Sequence, residues 1–334
     1  MKETVLLTGA TGFIGQRIAL ALQSAGYQVC AVVRATSQTS ALQAQGIELL
    51  MLDMGNKESM RQAFTQHNGW DYVIHGAGLT KALRKVDFMR VNYENTRAFV
   101  EALTEADRMP RKFVFLSSLS VYGSLHETDG KPFNTEDTPQ PNTAYGQSKR
   151  KAEAYLQSIR SEFPSVILRP TGVYGPGDRD YLMMFRTVKQ GFDVRAGRKP
   201  QTLTFVHADD VAQATQCALE QSTTSGAVYD ISDGSEYDAS YFAQLIKQEL
   251  GIRRAWQICV PLCLLWLVSG VSESLSHISG KAATLNRDKF RIMKQRSWRC
   301  DTQPAIKDLG YMPRYSLQEG VKETIKWYKE AGWL

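Results

Sequence analysis

The chain has 334 residues, 43% of them hydrophobic, with a net charge of +6. A chain this long buries roughly three quarters of its unfolded surface, so neither disulfides nor a structural metal is needed to hold it together. Its five cysteines, an odd number without regular spacing, exclude a secreted disulfide scaffold and fit a reducing compartment. Cys259 and Cys263 stand four apart, yet no His or further Cys is near them in sequence, so they read as small apolar residues and no metal is expected.

Only Val5, Leu6 and Leu7 precede polar residues and glycines at the N-terminus, too few for a signal peptide. The longest apolar run, Val260 to Val268, is about half a membrane span, so a cytoplasmic protein with no membrane span is expected. From Lys281 onward the chain carries 12 Lys/Arg against 6 Asp/Glu. Such a tail can meet nucleic acid or an anionic membrane, but its alternating signs and apolar spacing favour a solvated face. No nucleic-acid partner is expected; peripheral membrane contact stays open.

In chain order, β-branched and apolar runs predict strands at Val5–Thr8, Val29–Val33, Ile47–Leu52, Tyr72–His75, Phe113–Ser117 and Val166–Leu168. Helix-period segments lie between them near Gly15–Ala25, Lys57–His67, Phe88–Ala106 and Tyr145–Glu162. The alternation predicts an α/β fold, a Rossmann-type doubly wound parallel sheet. After Arg169 the pattern loosens. Strands at Thr202–Val206 and Val228–Ile231 flank a helix at Asp209–Glu220, and Ala239–Leu250 is a further helix. This predicts a dinucleotide-binding domain of residues 1–170 that also receives 202–232, and a smaller, interleaved substrate-binding region from 171–201 and 233–334.

The opening strand runs into a turn with Gly9, Gly12 and Gly15 and then a helix. Such a turn brings backbone close to a pyrophosphate and aims the free N–H groups of the helix start at it. The spacing differs from the usual Gly-x-Gly-x-x-Gly, but its place between strand and helix is the context the motif requires. At the end of the second strand, where an acid would hold a ribose hydroxyl, stands Arg34. NADP is therefore favoured over NAD.

Tyr145 and Lys149 are four apart at the start of a helical segment and project from one side. A phenol with a pKa of about 10 is a poor acid-base group at neutral pH, and a neighbouring ammonium draws it toward working range. Ser118, at the end of a predicted strand, points into the crevice of such a sheet and can hold a substrate oxygen while Tyr145 exchanges its proton.

With these pieces in order, the sequence resembles the extended short-chain dehydrogenase/reductase family over nearly its whole length. The resemblance rests on Thr8-Gly-Ala-Thr-Gly-Phe-Ile-Gly15, Asp53, His75-Gly-Ala-Gly78, Val91-Asn92, Ser117-Ser118, Tyr145-x-x-x-Lys149, Arg169-Pro-Thr-Gly-Val-Tyr-Gly-Pro176 and Val206-His-Ala-Asp-Asp210. It implies catalytic roles for Ser118, Tyr145 and Lys149, with help from Asn92. It further implies that Thr11, Phe13 and Ile14 of the turn bind the cofactor, that Asp53 holds the adenine beside Met54, that Ala77 and Gly78 line the cofactor, that Lys149 also binds the nicotinamide ribose, and that Pro170 and Val173 lie near the carboxamide. Members often pair as homodimers, so a homodimer is an expectation too.

Family members act as sugar-nucleotide epimerases, as dehydratases or on alcohols and ketones. The dehydratases resemble one another in an Asp-Glu pair before Val-Tyr-Gly, where this chain has Leu119 and Ser120. Sugar-nucleotide epimerases carry an Asn where this chain has Thr171-Gly-Val, although Arg179 or Arg186 remain candidates for gripping a phosphate. The stretch Trp256–Ile278 is apolar, and Leu264, Leu267, Val271, Leu275 and Ile278 recur at helical spacing, which suits either a hydrophobic pocket wall or plain core. The ending Asp308-Leu-Gly-Tyr-Met-Pro313 resembles members acting on hydroxysteroids. The reading is an NAD(P)-dependent oxidoreductase for a bulky apolar small-molecule ketone or alcohol, with an epimerase as the alternative and a non-catalytic NADP sensor as the alternative of another class.

Overall fold

The computed structural model describes residues 2–127, 129–279, 283 and 285–334. Lys281 and the side chain of Ile278, both named in the expectations above, lie outside the described residues. Strand β1 (Thr4–Thr8) is followed by α1 (Phe13–Ser24), β2 (Gln28–Val33), α2 (Ser40–Ala44), β3 (Glu48–Met51), α3 (Lys57–Gln66) and β4 (Tyr72–His75). Then come α4 (Lys85–Met89), a π-helical turn (Arg90–Glu94), α5 (Asn95–Glu105), β5 (Lys112–Leu116), a 3-10 turn (Leu119–Val121), α6 (Ala144–Ser158) and β6 (Ser165–Pro170). The chain continues through β7 (Gly172–Tyr174), α7 (Leu182–Lys189), β8 (Phe192–Ala196), β9 (Thr202–Leu203), β10 (Phe205–His207), α8 (Ala208–Glu220) and β11 (Ala227–Ile231). Last are β12 (Tyr237–Asp238), α9 (Ala239–Glu249), β13 (Trp256–Val260), α10 (Leu262–Ser279), α11 (Arg287–Lys294), β14 (Ser297–Trp298), α12 (Gln303–Leu309) and α13 (Leu317–Glu330).

The main sheet has seven strands in the order β3-β2-β1-β4-β5-β6-β11, and every pairing in it is parallel. Its inner strands are buried on both faces, which is why they read as unbroken apolar runs instead of alternating ones. One face packs on α1 and α8 through Ile18, Leu22, Val211 and Leu219. The other packs on α3, α5 and α6 through Phe64, Phe99, Leu103 and Leu156. The strand order reverses between β1 and β4, and a doubly wound sheet opens its ligand crevice at the carboxyl end of that switch point.

A separate core of Tyr174, Phe185, Phe205, Phe242, Val321 and Tyr328 joins α7, α9 and α13. The expected strand Thr202–Val206 is two strands. β9 pairs with β12 and β14, whereas β10 pairs with β7. The break falls at Thr204, whose hydroxyl donates to the carbonyl of Trp298 (2.8 Å) and meets the hydroxyl of Thr171 (2.9 Å). The expected helix Phe88–Ala106 is likewise interrupted, by the π turn at 90–94. Such single-turn bulges often mark functional sites.

The apolar stretch departs furthest from expectation. Trp256–Val260 is a strand, β13, paired in parallel with β8, and only the following α10 is helical. Along α10, Leu264, Trp266, Leu267, Val271 and Leu275 are exposed. They are neither plain core nor the wall of an enclosed pocket. No helix among the described residues is long and apolar enough to cross a membrane.

Candidate active site

The glycine turn sits at the switch point. Gly9 takes φ +78°, and a Cβ there would lie 2.6 Å from the backbone of Gly76 at the end of β4. A Cβ on Gly15 would lie 2.0 Å from the Gly9 carbonyl oxygen. Both positions are closed to any side chain, which brings β1, β4 and α1 together. Gly12 caps α1 with no side-chain acceptor. The first-turn N–H groups of Phe13, Ile14 and Gly15, which have no carbonyl to reach within the helix, therefore point to whatever lies over the turn. Thr11 stands beside them in the turn, and the guanidinium of Arg17 reaches across to the carbonyl of Pro176 (3.2 Å).

The next loop, residues 76–79, is held by a buried chain of hydrogen bonds. Thr96 donates to the Asn92 carbonyl (2.9 Å), so His75 Nε2–H donates to the Thr96 hydroxyl (2.9 Å) and Nδ1 accepts from Thr8 (3.0 Å). Burial and the nearby Lys149 charge hold the His75 pKa down at about 3, which keeps the ring neutral. The Thr8 hydroxyl in turn accepts the Ala77 N–H (3.1 Å). Asn92, in the π turn, accepts the Leu79 N–H at Oδ1 (2.7 Å) and donates from Nδ2 to the Leu79 carbonyl and the Ser148 hydroxyl, each at 3.0 Å. Its amide thus joins this loop to α6.

Tyr145 and Lys149 leave the first turns of α6, whose start is set by the Thr143 hydroxyl accepting the Gly146 N–H (3.0 Å). A Cβ on Gly146 would lie 2.4 Å from the Ser120 carbonyl oxygen, so α6 packs directly on the 3-10 turn. That contact brings Ser118 to the Tyr145 phenol. Burial pushes the phenol pKa up, and the Ser118 hydroxyl pulls it back down. The edge of Phe88 packs on the Tyr145 ring (6.1 Å between centroids).

Lys149 is buried, with Nζ donating to the Leu116 carbonyl (2.7 Å) and lying 4.8 Å from the centre of the Phe115 ring. Burial lowers its pKa to about 8, against the opposing pull of Glu153. The expected direct action of this ammonium on the phenol is not what the geometry has: Lys149 is turned to the end of β5, and Ser118 is the group that favours the phenolate.

The expected cofactor residues line up along the carboxyl edge of the sheet. Arg34 follows β2 and is exposed, and its guanidinium has no partner among the described residues. Asp53 follows β3, exposed beside Met54, with Oδ1 accepting the Gly55 N–H (2.9 Å). Gly78 is exposed, and a Cβ there would come within 3.0 Å of Asn92 Oδ1 and 3.3 Å of Lys149 Nζ. The bare cradle over Lys149, the uncapped helix start and the unpaired Arg34 fit a dinucleotide lying along this edge. Pro170 is buried in the sheet opposite Ile231, and Val173 packs on the core.

One group of residues was not anticipated from the sequence. Behind Ser118, Glu153 accepts Ser117 Oγ (2.5 Å) and both Nε and Nη2 of Arg169 (2.9 and 2.7 Å). Arg169 also donates to the Tyr122 hydroxyl (2.7 Å), which bonds to Asp230 (2.9 Å), whose carboxyl burial pushes up to about 7. Buried charges persist where they are paired, and this ladder ties the ends of β5, β6 and β11 to α6. Ser117 and Arg169 stand in motifs of the sequence, but nothing there showed that Glu153 joins them.

A crevice beside Tyr145 is lined by Leu83, Lys85, Phe88, Glu273, Ser276 and Asp288, among others. Asp288 closes it by accepting the Ala144 N–H (2.7 Å). Where dehydratases carry acids, Leu119 is buried and Ser120 is bonded to Ser118. Thr171 is buried on Thr204. Arg186 donates to the Trp333 carbonyl, and Arg179 stacks 5.2 Å over the Trp333 ring.

The model of the NAD dependent epimerase/dehydratase family matches residues 5–232. The chain is 25% identical over 337 residues to a ceramide reductase of Caulobacter vibrioides, covering 100% of this chain and 96% of that protein. It is 26% identical over 344 residues to a UDP-glucose 4-epimerase of Vibrio cholerae, covering 99% and 97%. The crystal structure of a UDP-glucose 4-epimerase from Thermotoga maritima superposes with a TM-score of 0.80 at 22% identity, over 98% of this chain and 99% of that one. At that identity the superposition speaks for the fold.

Proposed function

Because the chain belongs to the NAD dependent epimerase/dehydratase family, we propose that it interconverts a ketone and a secondary alcohol on a bulky, largely apolar, lipid-like substrate. Ser118, Tyr145 and Lys149 are its proton-handling residues in this reading. The nicotinamide, when bound, exchanges hydride with the carbinol carbon. Tyr145 gives its phenolic proton to the carbonyl oxygen during reduction and recovers it in the reverse direction, while Ser118 donates a hydrogen bond to the same oxygen. Lys149 holds the ribose, and Ser118 stabilises the phenolate left behind. Asn92 positions loop 76–79 and α6, and so acts through its neighbours. Arg34 pairs with a 2′-phosphate, which makes NADP the preferred cofactor. The dinucleotide region comprises residues 1–170 and 208–232; residues 202–207 go with the substrate region, because β9 pairs with β12 and β14 and β10 with β7.

The observation that best supports the ketone reading is that Thr171 stands where sugar-nucleotide epimerases carry an Asn, and its hydroxyl is buried on Thr204. Thr171 is hydrogen-bonded to Thr204 and Arg186 to the Trp333 carbonyl, while Arg179 stacks on the Trp333 ring. Among its described lining residues the crevice holds Glu273, Asp288 and Lys85, with Asp288 paired to Arg291 (2.7 Å). Kinship with a lipid reductase agrees with this reading, and kinship with sugar-nucleotide enzymes supports the epimerase as the second one. The test is turnover of NADPH against long-chain 3-ketones and ketosteroids, set beside epimerisation of UDP-glucose. Ketone reduction without epimerisation is expected; epimerisation with no ketone turnover refutes the reading.

A further inference from the structure

The helix α10 is inside out. Among its described side chains the buried ones are Leu265, Ser269 and Ser276, and the two serines satisfy their hydroxyls on the carbonyls of Trp266 (2.8 Å) and Glu273 (2.7 Å). Its outward side carries Leu264, Leu267, Val268, Val271 and Leu275, with Val271 60% and Leu275 58% exposed. A surface helix in water places apolar residues inward and polar ones outward. Over about three turns this one buries two serines beside Leu265 and exposes five large aliphatic side chains, so its outer side is made for something other than water.

The β8–β13 ribbon extends the same apolar surface. Register pairs Trp256 with Phe192 and Ile258 with Val194, and residues two apart share a face of a strand. All four are exposed, Trp256 at 77%. The ribbon runs into α10, with Gly197 and Leu262 in close approach. Contiguous exposed apolar surface of this extent marks an interaction site.

Charge identifies the occupant. At one end of the ribbon stand Lys189, Arg253 and Arg254, and at the other Arg198 and Lys199; all five are exposed and have no partner among the described residues. The carboxylates in residues 186–200 and 251–279 are Asp193 and Glu273. Asp193 is paired with Arg195 (2.6 Å), and Glu273 accepts the Arg287 N–H (3.1 Å). An apolar face with a tryptophan at its rim and unpaired cations at both ends matches an anionic bilayer surface, in which apolar side chains enter the acyl boundary while Lys and Arg meet the headgroups.

We propose that β8, β13 and the outer side of α10 form a docking surface for an anionic lipid bilayer. The surface is separate from the basic C-terminal segment, and its case does not depend on which ketone is reduced. The inner side of the same helix supplies Glu273 and Ser276 to the crevice beside Tyr145. The docked bilayer and the crevice therefore lie about one helix diameter apart, roughly 10 Å. A lipid substrate then has a short path to the site.

The test is co-sedimentation of the full chain with vesicles of phosphatidylcholine alone or mixed with phosphatidylglycerol, without cofactor or turnover. Binding is expected on the anionic vesicles and is lost in high salt. Two double variants, Leu267→Ser with Val271→Ser and Arg253→Glu with Arg254→Glu, should each weaken it roughly tenfold or more, with thermal midpoint and NADPH binding unchanged. Absence of vesicle binding, or binding indifferent to both variants, overturns the proposal. So does a protein that ignores vesicles and dimerises through Leu267 and Val271, since the face then belongs to a second copy. Failure of the ketone assay leaves vesicle binding intact, which keeps the two readings separable.

Discussion

Replacing Lys149 by Met separates what this ammonium costs the fold from what it does in the site. Burial shifts its pKa from the ordinary 10.5 to about 8. At neutral pH the folded protein therefore carries a buried proton at a cost of about 3 kcal/mol relative to the unfolded chain. The variant removes that cost and fills nearly the same space, but it gives up a charge-assisted hydrogen bond to Leu116 of about 1.5–3 kcal/mol. The two nearly offset one another, so stability near pH 7 should change by no more than about 2 kcal/mol while turnover collapses. The pH dependence is the sharper readout. Between the folded and unfolded pKa values the unfolded wild type binds more protons, so the wild type gains stability as pH rises through that window and the Met variant does not. Urea unfolding of both proteins at about pH 7 and about pH 9.5 should show the wild type gaining about 2 kcal/mol on the variant. Parallel profiles would mean that Lys149 is not buried as a cation, and the electrostatic account of the site would fail.

Tyr145→Phe keeps the ring packed on Phe88 and removes the proton route, so turnover should fall roughly a hundred- to ten-thousandfold with NADPH affinity unchanged; activity above a few per cent would place the acid elsewhere. Arg34→Ala should weaken NADPH about ten- to a hundredfold and leave NADH nearly unaffected, as isothermal titration with both cofactors will show. Equal loss for both, or an initial preference for NADH, rejects the 2′-phosphate assignment.

The parallel sheet, its crossover helices and the glycine turn were legible in the sequence because each rests on short-range chemistry: apolar runs of strand length, helix-period segments, and glycines at a strand-to-helix junction. The Tyr145–Lys149 pair was legible too, since one helical turn sets its spacing. What Lys149 faces was not. A carbonyl 33 residues away, on β5, takes its hydrogen bond, and only the packing of α6 on the sheet decides that. The ladder of Ser117, Glu153, Arg169, Tyr122 and Asp230 escaped notice for the same reason, its members being scattered from the end of β5 through α6 and β6 to β11. Residues 202–206 form one apolar run, and its division between two sheets depends on Thr204 meeting Trp298 from far along the chain. The clearest division concerns α10. Its period and apolarity mark a helix with a hydrophobic side in either setting, but hydropathy carries no information about which side the rest of the molecule covers. The tertiary structure buries Ser269 and Ser276 with Leu265 and leaves Leu264, Leu267, Val268, Val271 and Leu275 toward solvent, and only the packing of the rest of the molecule decides that.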